Sequence, residues 1–320
     1  MAKQAVKRKS GRPGGRKSGP VPVRKAGFVD WIRAARLATL PVSIASVVLG
    51  TAVAYVIHSE DDGPGWHWWR AGACLAVAVC LQIGVNFAND YSDGIRGTDA
   101  VRSGPRRLTA SGAAKPRAVL AVALVFFALA AIAGLIITWR TGHWWFIAVG
   151  AVCIVAAWFY TGGRRPYGYY ALGELAVFIF FGPVAVLGTQ FAILGRITDD
   201  GWLAAIAAGA TATATVFVAN IRDRAGDKAV GKRTLAVLIG AWPSRAVYIV
   251  LLAVAYAIAA LYGVFYSDHA WYAYFSLLIT GPAILIVLTA RTPRELVTAL
   301  KLTALGGLAY ALLLGWAIAF

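Results

Sequence analysis

The sequence predicts an all-α, polytopic membrane protein with nine transmembrane helices and a cytoplasmic N-terminus. Three observations predict it. Hydrophobic residues make up 59% of the chain and charged residues only 14%, where soluble domains carry roughly 25% charged residues. The apolar residues collect in runs of about 20, the length at which a helix crosses a bilayer. The basic residues fall almost wholly on one side of the spans so defined. The runs are continuously apolar, which excludes the alternating pattern of a membrane β-barrel.

The spans run near Ala38–Ile57, Trp68–Asn89, Ala118–Thr138, Trp144–Tyr160, Leu172–Leu194, Trp202–Ala219, Ala246–Phe265, Trp271–Thr289 and Leu296–Phe320. Four begin at a tryptophan (Trp68, Trp144, Trp202, Trp271), as an interfacial aromatic belt requires. With the N-terminus inside, 28 of the 31 Lys and Arg lie on the inner side, and only Arg70, Arg140 and Arg196 remain outside. Nine spans then put the C-terminus outside. Residues 1–26 are expected to form a disordered basic cytoplasmic tail, and residues 27–320 the transmembrane domain. Eleven Lys or Arg lie between Met1 and Arg36, among Gly, Pro and Ser and without the apolar core of a cleavable signal. Such a tail suits anionic lipid, so the net charge of +17 reflects membrane topology rather than nucleic acid. Cys74, Cys80 and Cys153 lie inside apolar runs without metal-like spacing and read as packing residues.

Against this scaffold two acidic clusters stand out, both at inner span ends. The first is Asn86-Phe87-Ala88-Asn89-Asp90-Tyr91-Ser92-Asp93, followed by Asp99; Asn86, Asp90 and Asp93 fall at i, i+4 and i+7, on one helical face. The second runs from Asn220 through Asp223 to Asp227. Carboxylates at membrane depth are expensive and mark functional sites. Dense cations accompany them: Arg96, Arg102, Arg106, Arg107, Lys115 and Arg117 after the first, and Arg222, Arg224, Lys228, Lys232 and Arg233 around the second. Acids with bases suit an anion held through a divalent metal, and hard Asp and Asn oxygens suit Mg²⁺ joined to phosphate oxygens. An apolar bundle behind such a site implies a lipid diphosphate, with pyrophosphate departing to leave an allylic carbocation. Tyr91, Tyr160, Tyr167 or Phe87 would face that cation. Glu174, just inside the fifth span, is read as a site residue. The four histidines, His58, His67, His143 and His269, lie in outer loops, which argues against histidine chemistry.

At these residues the sequence resembles the UbiA superfamily of intramembrane prenyltransferases. Asn86-x3-Asp90-x2-Asp93 matches the first motif on the second helix, and Asp223-x3-Asp227 the second motif on the sixth. Finer stretches resemble the menaquinone-pathway branch, the 1,4-dihydroxy-2-naphthoate polyprenyltransferases. They are Ala34 to Pro41, Asn89 to Asp99, Gly104 to Gly112, Arg165 to Glu174, Phe181-Gly182-Pro183 and Gly231 to Val237. The sequence departs at two points: Arg36-Leu37 stands where many of the branch have Arg-Pro, and Tyr160 is followed by Arg164 and Arg165 where many members have Tyr-x3-Lys.

The resemblance implies Mg²⁺ and diphosphate held by Asn86, Asp90, Asp93, Asp223 and Asp227. It implies substrate contacts from Asn89, Arg96, Arg102, Arg107, Arg165, Asn220 and Lys232, with Tyr160 and Glu174 beside the reaction. The activity it implies is transfer of a polyprenyl group from polyprenyl diphosphate to 1,4-dihydroxy-2-naphthoate with decarboxylation, in the cell membrane, on the cytoplasmic side. Other acceptors, such as 4-hydroxybenzoate or homogentisate, stay open. So does a cation-coupled transporter, which would set its acids nearer the bilayer midplane.

Overall fold

A computed structural model describes residues 24–60, 68–101 and 104–320. Residues 1–23 of the expected tail and the expected contact Arg102 lie outside the described residues. The described residues are helices joined by turns, with no strand among them. Helix α1 (Phe28–Ala34) is short, and Arg36, at φ 54, turns the chain into α2 (Leu40–Glu60). There follow α3 (Trp68–Arg96), α4 (Pro116–Thr141) and α5 (Phe146–Phe159). One span is assembled from α6 (Gly173–Ile179), a π-helical segment Phe180–Leu187, and α7 (Gly188–Leu194). Then come α8 (Asp199–Ala229), the short α9 (Leu235–Ile239), α10 (Ala241–Phe265), α11 (Leu277–Thr289) and α12 (Pro293–Ala319).

Among the described residues, eight helices are long and apolar enough to cross a membrane, one fewer than the nine expected. The difference is α5, whose 14 residues rise only about 21 Å. Single turns extend it at both ends, where Phe146 N–H donates to the His143 carbonyl and Gly162 N–H to that of Trp158.

Local chemistry explains the helix ends. Pro116 opens α4 at a position where a missing N–H costs nothing. The Thr198 hydroxyl accepts from Gly201 N–H at the start of α8, with Asp199 and Asp200 in the positive first turn. Pro183 cannot donate to the α-helical ladder, and the chain widens around it into the π segment. The Phe181 carbonyl there is taken up by the Ser46 hydroxyl at 2.6 Å.

Helix α8 is the most enclosed span, with 72% of its apolar window buried against 28% for α3 and α4. Its interior is a row of small residues (Ala204, Ala205, Ala207, Ala208, Gly209, Ala210), which lets neighbouring backbones approach closely. Gly182 uses that closeness: a Cβ there would stand 2.5 Å from the Ala205 carbonyl oxygen. The two cluster-bearing helices, α3 with 29 residues and α8 with 31, are about 43 and 46 Å long. Both outrun a hydrocarbon core of about 30 Å, so their acidic ends emerge toward the membrane surface. Gly97 (φ 76) and Gly231 (φ 77) turn the chain in the left-handed conformation just beyond them.

Gly182→Ala is expected to cost about 1–3 kcal/mol, because the added methyl meets backbone that cannot yield. Gly72→Ala, with nothing within 4 Å, should be neutral or slightly stabilising. Thermal unfolding of both variants in detergent checks the contrast.

Candidate active site

A cavity of about 990 Å³ runs through the bundle. Asp93 lines one end and Cys74, on the same helix, the other, a span of about 28 Å along α3. Its body is apolar, with Val77, Ala78, Gly134, Ile154, Phe180 and Val184 among the lining residues. Its polar end is built where α3 and α8 emerge.

On α3, Asn86, Asn89 and Asp93 face the cavity. Asn86 Nδ2 donates to the Ala35 carbonyl at 3.0 Å. Asn89 Oδ1 accepts the Thr161 hydroxyl at 2.7 Å, which ties α3 to the end of α5. Asp93 Oδ1 accepts the Tyr169 hydroxyl at 2.5 Å. Its other oxygen lies 3.3 Å from Lys232 Nζ, and the same ammonium lies 3.9 Å from Asp227 Oδ1 of α8. One cation thus bridges the two clusters, seated 4.5 Å over the Tyr169 ring. Asp223 accepts both Nε and Nη2 of its neighbour Arg222, at 2.8 and 2.7 Å. Asn220, also lining the cavity, donates to Glu174 Oε1 at 2.8 Å.

The structure brings together Asn86, Asn89, Asp93, Tyr160, Arg107, Asn220, Asp223, Asp227 and Lys232 of the expected set. Four others sit elsewhere. Asp90 is fully buried but does not line the cavity: its two oxygens accept the backbone N–H groups of Leu108 and Thr109, at 2.9 and 2.8 Å. At about 100° per residue, Asn89 and Asp93 lie some 60° and 20° to one side of Asn86 and Asp90 some 40° to the other. The cavity takes the first side and a loop takes the second. Arg96 donates to the carbonyls of Thr161 and Gly163 and covers the Tyr169 ring, so it braces a loop. Arg165 is solvent-exposed and off the cavity. Glu174 is buried behind the wall, where Oε1 also accepts Leu235 N–H at 3.1 Å and Oε2 has no hydrogen-bond partner.

Arg106 and Arg222, two of the cations noted around the clusters, also line the cavity, and so do residues that no motif singled out for the site, among them Arg36, Thr161 and Tyr169. Arg36 had a signal, since it occupies the departure from Arg-Pro. It is held in the left-handed region with its carbonyl accepting both the N–H (2.8 Å) and the hydroxyl (2.9 Å) of Thr39. A non-glycine residue in that conformation is strained and fixed by its surroundings.

The donors suit a hard cation: the carboxylates of Asp93, Asp223 and Asp227 and the amide oxygen of Asn89 belong to residues that line one cavity. Among the described residues no three acidic, His or Cys side chains are already gathered as a metal site. Arg222 pairs with Asp223, and Lys232 stands between Asp93 and Asp227, so both clusters reach one positive charge. Burial, then the adjacent Asp93 carboxylate, pushes the Tyr169 hydroxyl well above its ordinary value, so it remains a proton donor to Asp93.

The model of the UbiA prenyltransferase family matches residues 47–303. The chain is 46% identical to the 1,4-dihydroxy-2-naphthoate octaprenyltransferase of Mycobacterium tuberculosis, over 92% of this chain and 98% of that one. It is 35% identical to the Haemophilus influenzae protein of the same name, over 70% of this chain and 74% of that one. Among solved structures, a UbiA homolog from Aeropyrum pernix K1 matches with a TM-score of 0.63 at 17% identity, covering 85% of this chain and 96% of that one. A UbiA homolog from Archaeoglobus fulgidus bound to DMAPP and Mg²⁺ matches with a TM-score of 0.52 at 16% identity, covering 90% and 98%. These likenesses show the fold.

Tyr169→Phe is expected to lower stability by about 1.5–3 kcal/mol through loss of a charge-assisted hydrogen bond. The wild-type advantage should hold below pH 10.0, the ordinary tyrosine value. It should shrink above that pH, where the unfolded chain ionises and the folded hydroxyl does not. Unfolding of both proteins in detergent across that range checks magnitude and sign.

Proposed function

The chain belongs to the UbiA prenyltransferase family, and on that premise we propose that it transfers a polyprenyl group from polyprenyl diphosphate to 1,4-dihydroxy-2-naphthoate, the aromatic step of menaquinone formation. The observation that carries the reading is the convergence of both acidic clusters on one cation at the mouth of an apolar cavity. The extent of likeness to relatives named for that naphthoate supports the acceptor.

Asn89, Asp93, Asp223 and Asp227 would hold Mg²⁺, which when bound would supply the Lewis-acid stabilisation that lets pyrophosphate depart. Lys232, Arg106 and Arg107 line the same mouth and neutralise the remaining phosphate oxygens. The apolar cavity takes the tail, excluding water from the carbon that becomes cationic. Tyr160 and Phe180 line it with aromatic faces. Arg36 reaches the same space and pairs with the acceptor carboxylate, orienting the ring carbon that bears it. There the new C–C bond forms as the C–O bond to diphosphate breaks. Carbon dioxide leaves, and its bonding pair restores the aromatic ring. No proton changes hands, so a buried Glu174 that fixes Asn220 and the Leu235 backbone fits a positioning role better than that of a base.

The site faces the cytoplasm of the cell membrane in this reading, by the asymmetry of the basic residues. Purified protein in detergent with polyprenyl diphosphate and Mg²⁺ should turn over 1,4-dihydroxy-2-naphthoate but not 4-hydroxybenzoate. Chelation or Asp223→Asn should abolish product. Turnover of 4-hydroxybenzoate alone would overturn the acceptor while keeping the chemistry. Arg36→Gln should raise the KM for the naphthoate by about tenfold or more, the scale of one lost charge-assisted pair, with the KM for the diphosphate within about twofold of wild type.

A further inference from the structure

Helix α3 presents two different faces at its acidic end. Asn86, Asn89 and Asp93 open on the cavity, whereas Asp90 and Gly94, one turn apart, meet the 104–114 loop. The Asp90 carboxylate is fully buried, and each of its oxygens is already engaged by a backbone N–H, from Leu108 and from Thr109. Gly94 completes the seat: a Cβ there would lie 2.4 Å from Thr109 Cγ2 and 3.1 Å from the Ala110 backbone nitrogen. The Leu108 side chain plugs the apolar cluster formed by Phe87, Ala88, Val119 and Ala123. Further along, Ala114 N–H returns to the Leu108 carbonyl and Ser111 N–H to that of Arg107.

The two residues before this seat are Arg106 and Arg107, and both line the cavity mouth. Arg107 is buried, with Nε 3.4 Å from Asp99 Oδ2 and Nη1 without a hydrogen-bond partner. An unpaired guanidinium nitrogen in a buried mouth is a group waiting for an anion.

We infer that Asp90 is a positioning residue and not a metal ligand: by clamping the Leu108 and Thr109 amides it aims Arg106 and Arg107 at the diphosphate. The inference rests on the diphosphate reading above and deepens it. A carboxylate with both oxygens bound to amides at 2.8–2.9 Å has no oxygen turned to the cavity. The same bonds fix the backbone directly beside the two arginines. Asparagine cannot replace it, because its NH₂ would face one of the two N–H donors.

The test separates metal from anion in the full-length protein in detergent, using Mn²⁺ and inorganic pyrophosphate. Bound Mn²⁺ is counted by electron paramagnetic resonance at saturating pyrophosphate, and pyrophosphate affinity is titrated separately. Asp90→Asn should keep the wild-type count of bound Mn²⁺ while its pyrophosphate Kd rises about tenfold or more. Gly94→Ala, which unseats the same loop without touching a carboxylate, should show the same split. The double variant should be no worse than the weaker single one, as expected when both act through one element. Asp93→Asn should instead lose bound Mn²⁺. Loss of Mn²⁺ in Asp90→Asn but not in Gly94→Ala would make Asp90 a ligand and overturn the inference, as would unchanged pyrophosphate affinity in both variants. Should Asp90→Asn fail to fold, Gly94→Ala alone decides, by weakened or unweakened pyrophosphate binding. A wild-type protein that binds no Mn²⁺ with pyrophosphate would remove the diphosphate reading itself and the inference with it.

Discussion

The site depends on one ammonium group placed between two carboxylates. Lys232 lies 3.3 Å from Asp93 and 3.9 Å from Asp227, and all three are largely withdrawn from solvent. Two carboxylates at the end of an apolar bundle repel one another and lose hydration, so a shared cation is what permits α3 and α8 to converge. The chain supplies that cation by a turn after α8, where Gly231 is left-handed and Lys232 N–H donates to the Asp227 carbonyl at 2.9 Å. Tyr169 lies beneath the ammonium and donates to Asp93, tying the loop after α5 to the same charge. Three separate segments are therefore positioned by a single electrostatic problem and its solution.

The rest of the molecule divides its labour by polarity. One end of the cavity holds nearly all of its charge, and the body is lined by aliphatic and aromatic side chains along the length of α3. Helix α5 forms part of that wall yet has no buried residue, in contrast to α8, whose small residues fill the middle of the bundle. The weakly enclosed wall is nonetheless anchored at the polar end, through Thr161 to Asn89 and through the Thr161 and Gly163 carbonyls to Arg96. Arg96 thereby serves the site without entering it. Glu174 does so too, holding Asn220 and the Leu235 amide from behind the cavity wall.

Much of this was legible in the residues, and the illegible part follows a pattern. Long apolar runs gave eight spans directly, because bilayer thickness sets a length that composition reveals. The short α5 was harder to place, since its apolar run equals the others in hydrophobicity and only the backbone fixes its extent. At the site, helical periodicity put Asn86, Asp90 and Asp93 on one face; Asn86 and Asp93 do line the cavity, whereas Asp90 turns to the loop. Periodicity sets Asn89 and Asp90 about 100° apart but does not say which side of the helix the cavity takes. The basic loops mislead for a different reason: topology alone fills them with Arg, so Arg165 in solvent and Arg107 in the cavity look alike in sequence. Arg36 was marked in the sequence only as part of the Arg36-Leu37 departure; its place at the cavity comes from a left-handed backbone whose carbonyl accepts from Thr39.

The sequence by itself determined that this is a bundle of membrane-spanning helices, that two of them carry acidic ends, and that basic residues crowd the segments beside those ends. Those properties are additive along the chain: hydrophobic length, periodicity and charge count need no partner to be read. Only the tertiary structure decided which charges meet. Lys232 reaches Asp93 across 139 positions of chain, Asp90 is withdrawn by a loop 18 positions away, and Thr161 finds Asn89 across 72. Each is a pairing between segments that do not specify one another locally. It is settled by packing, which leaves a buried carboxylate no choice except the nearest donor.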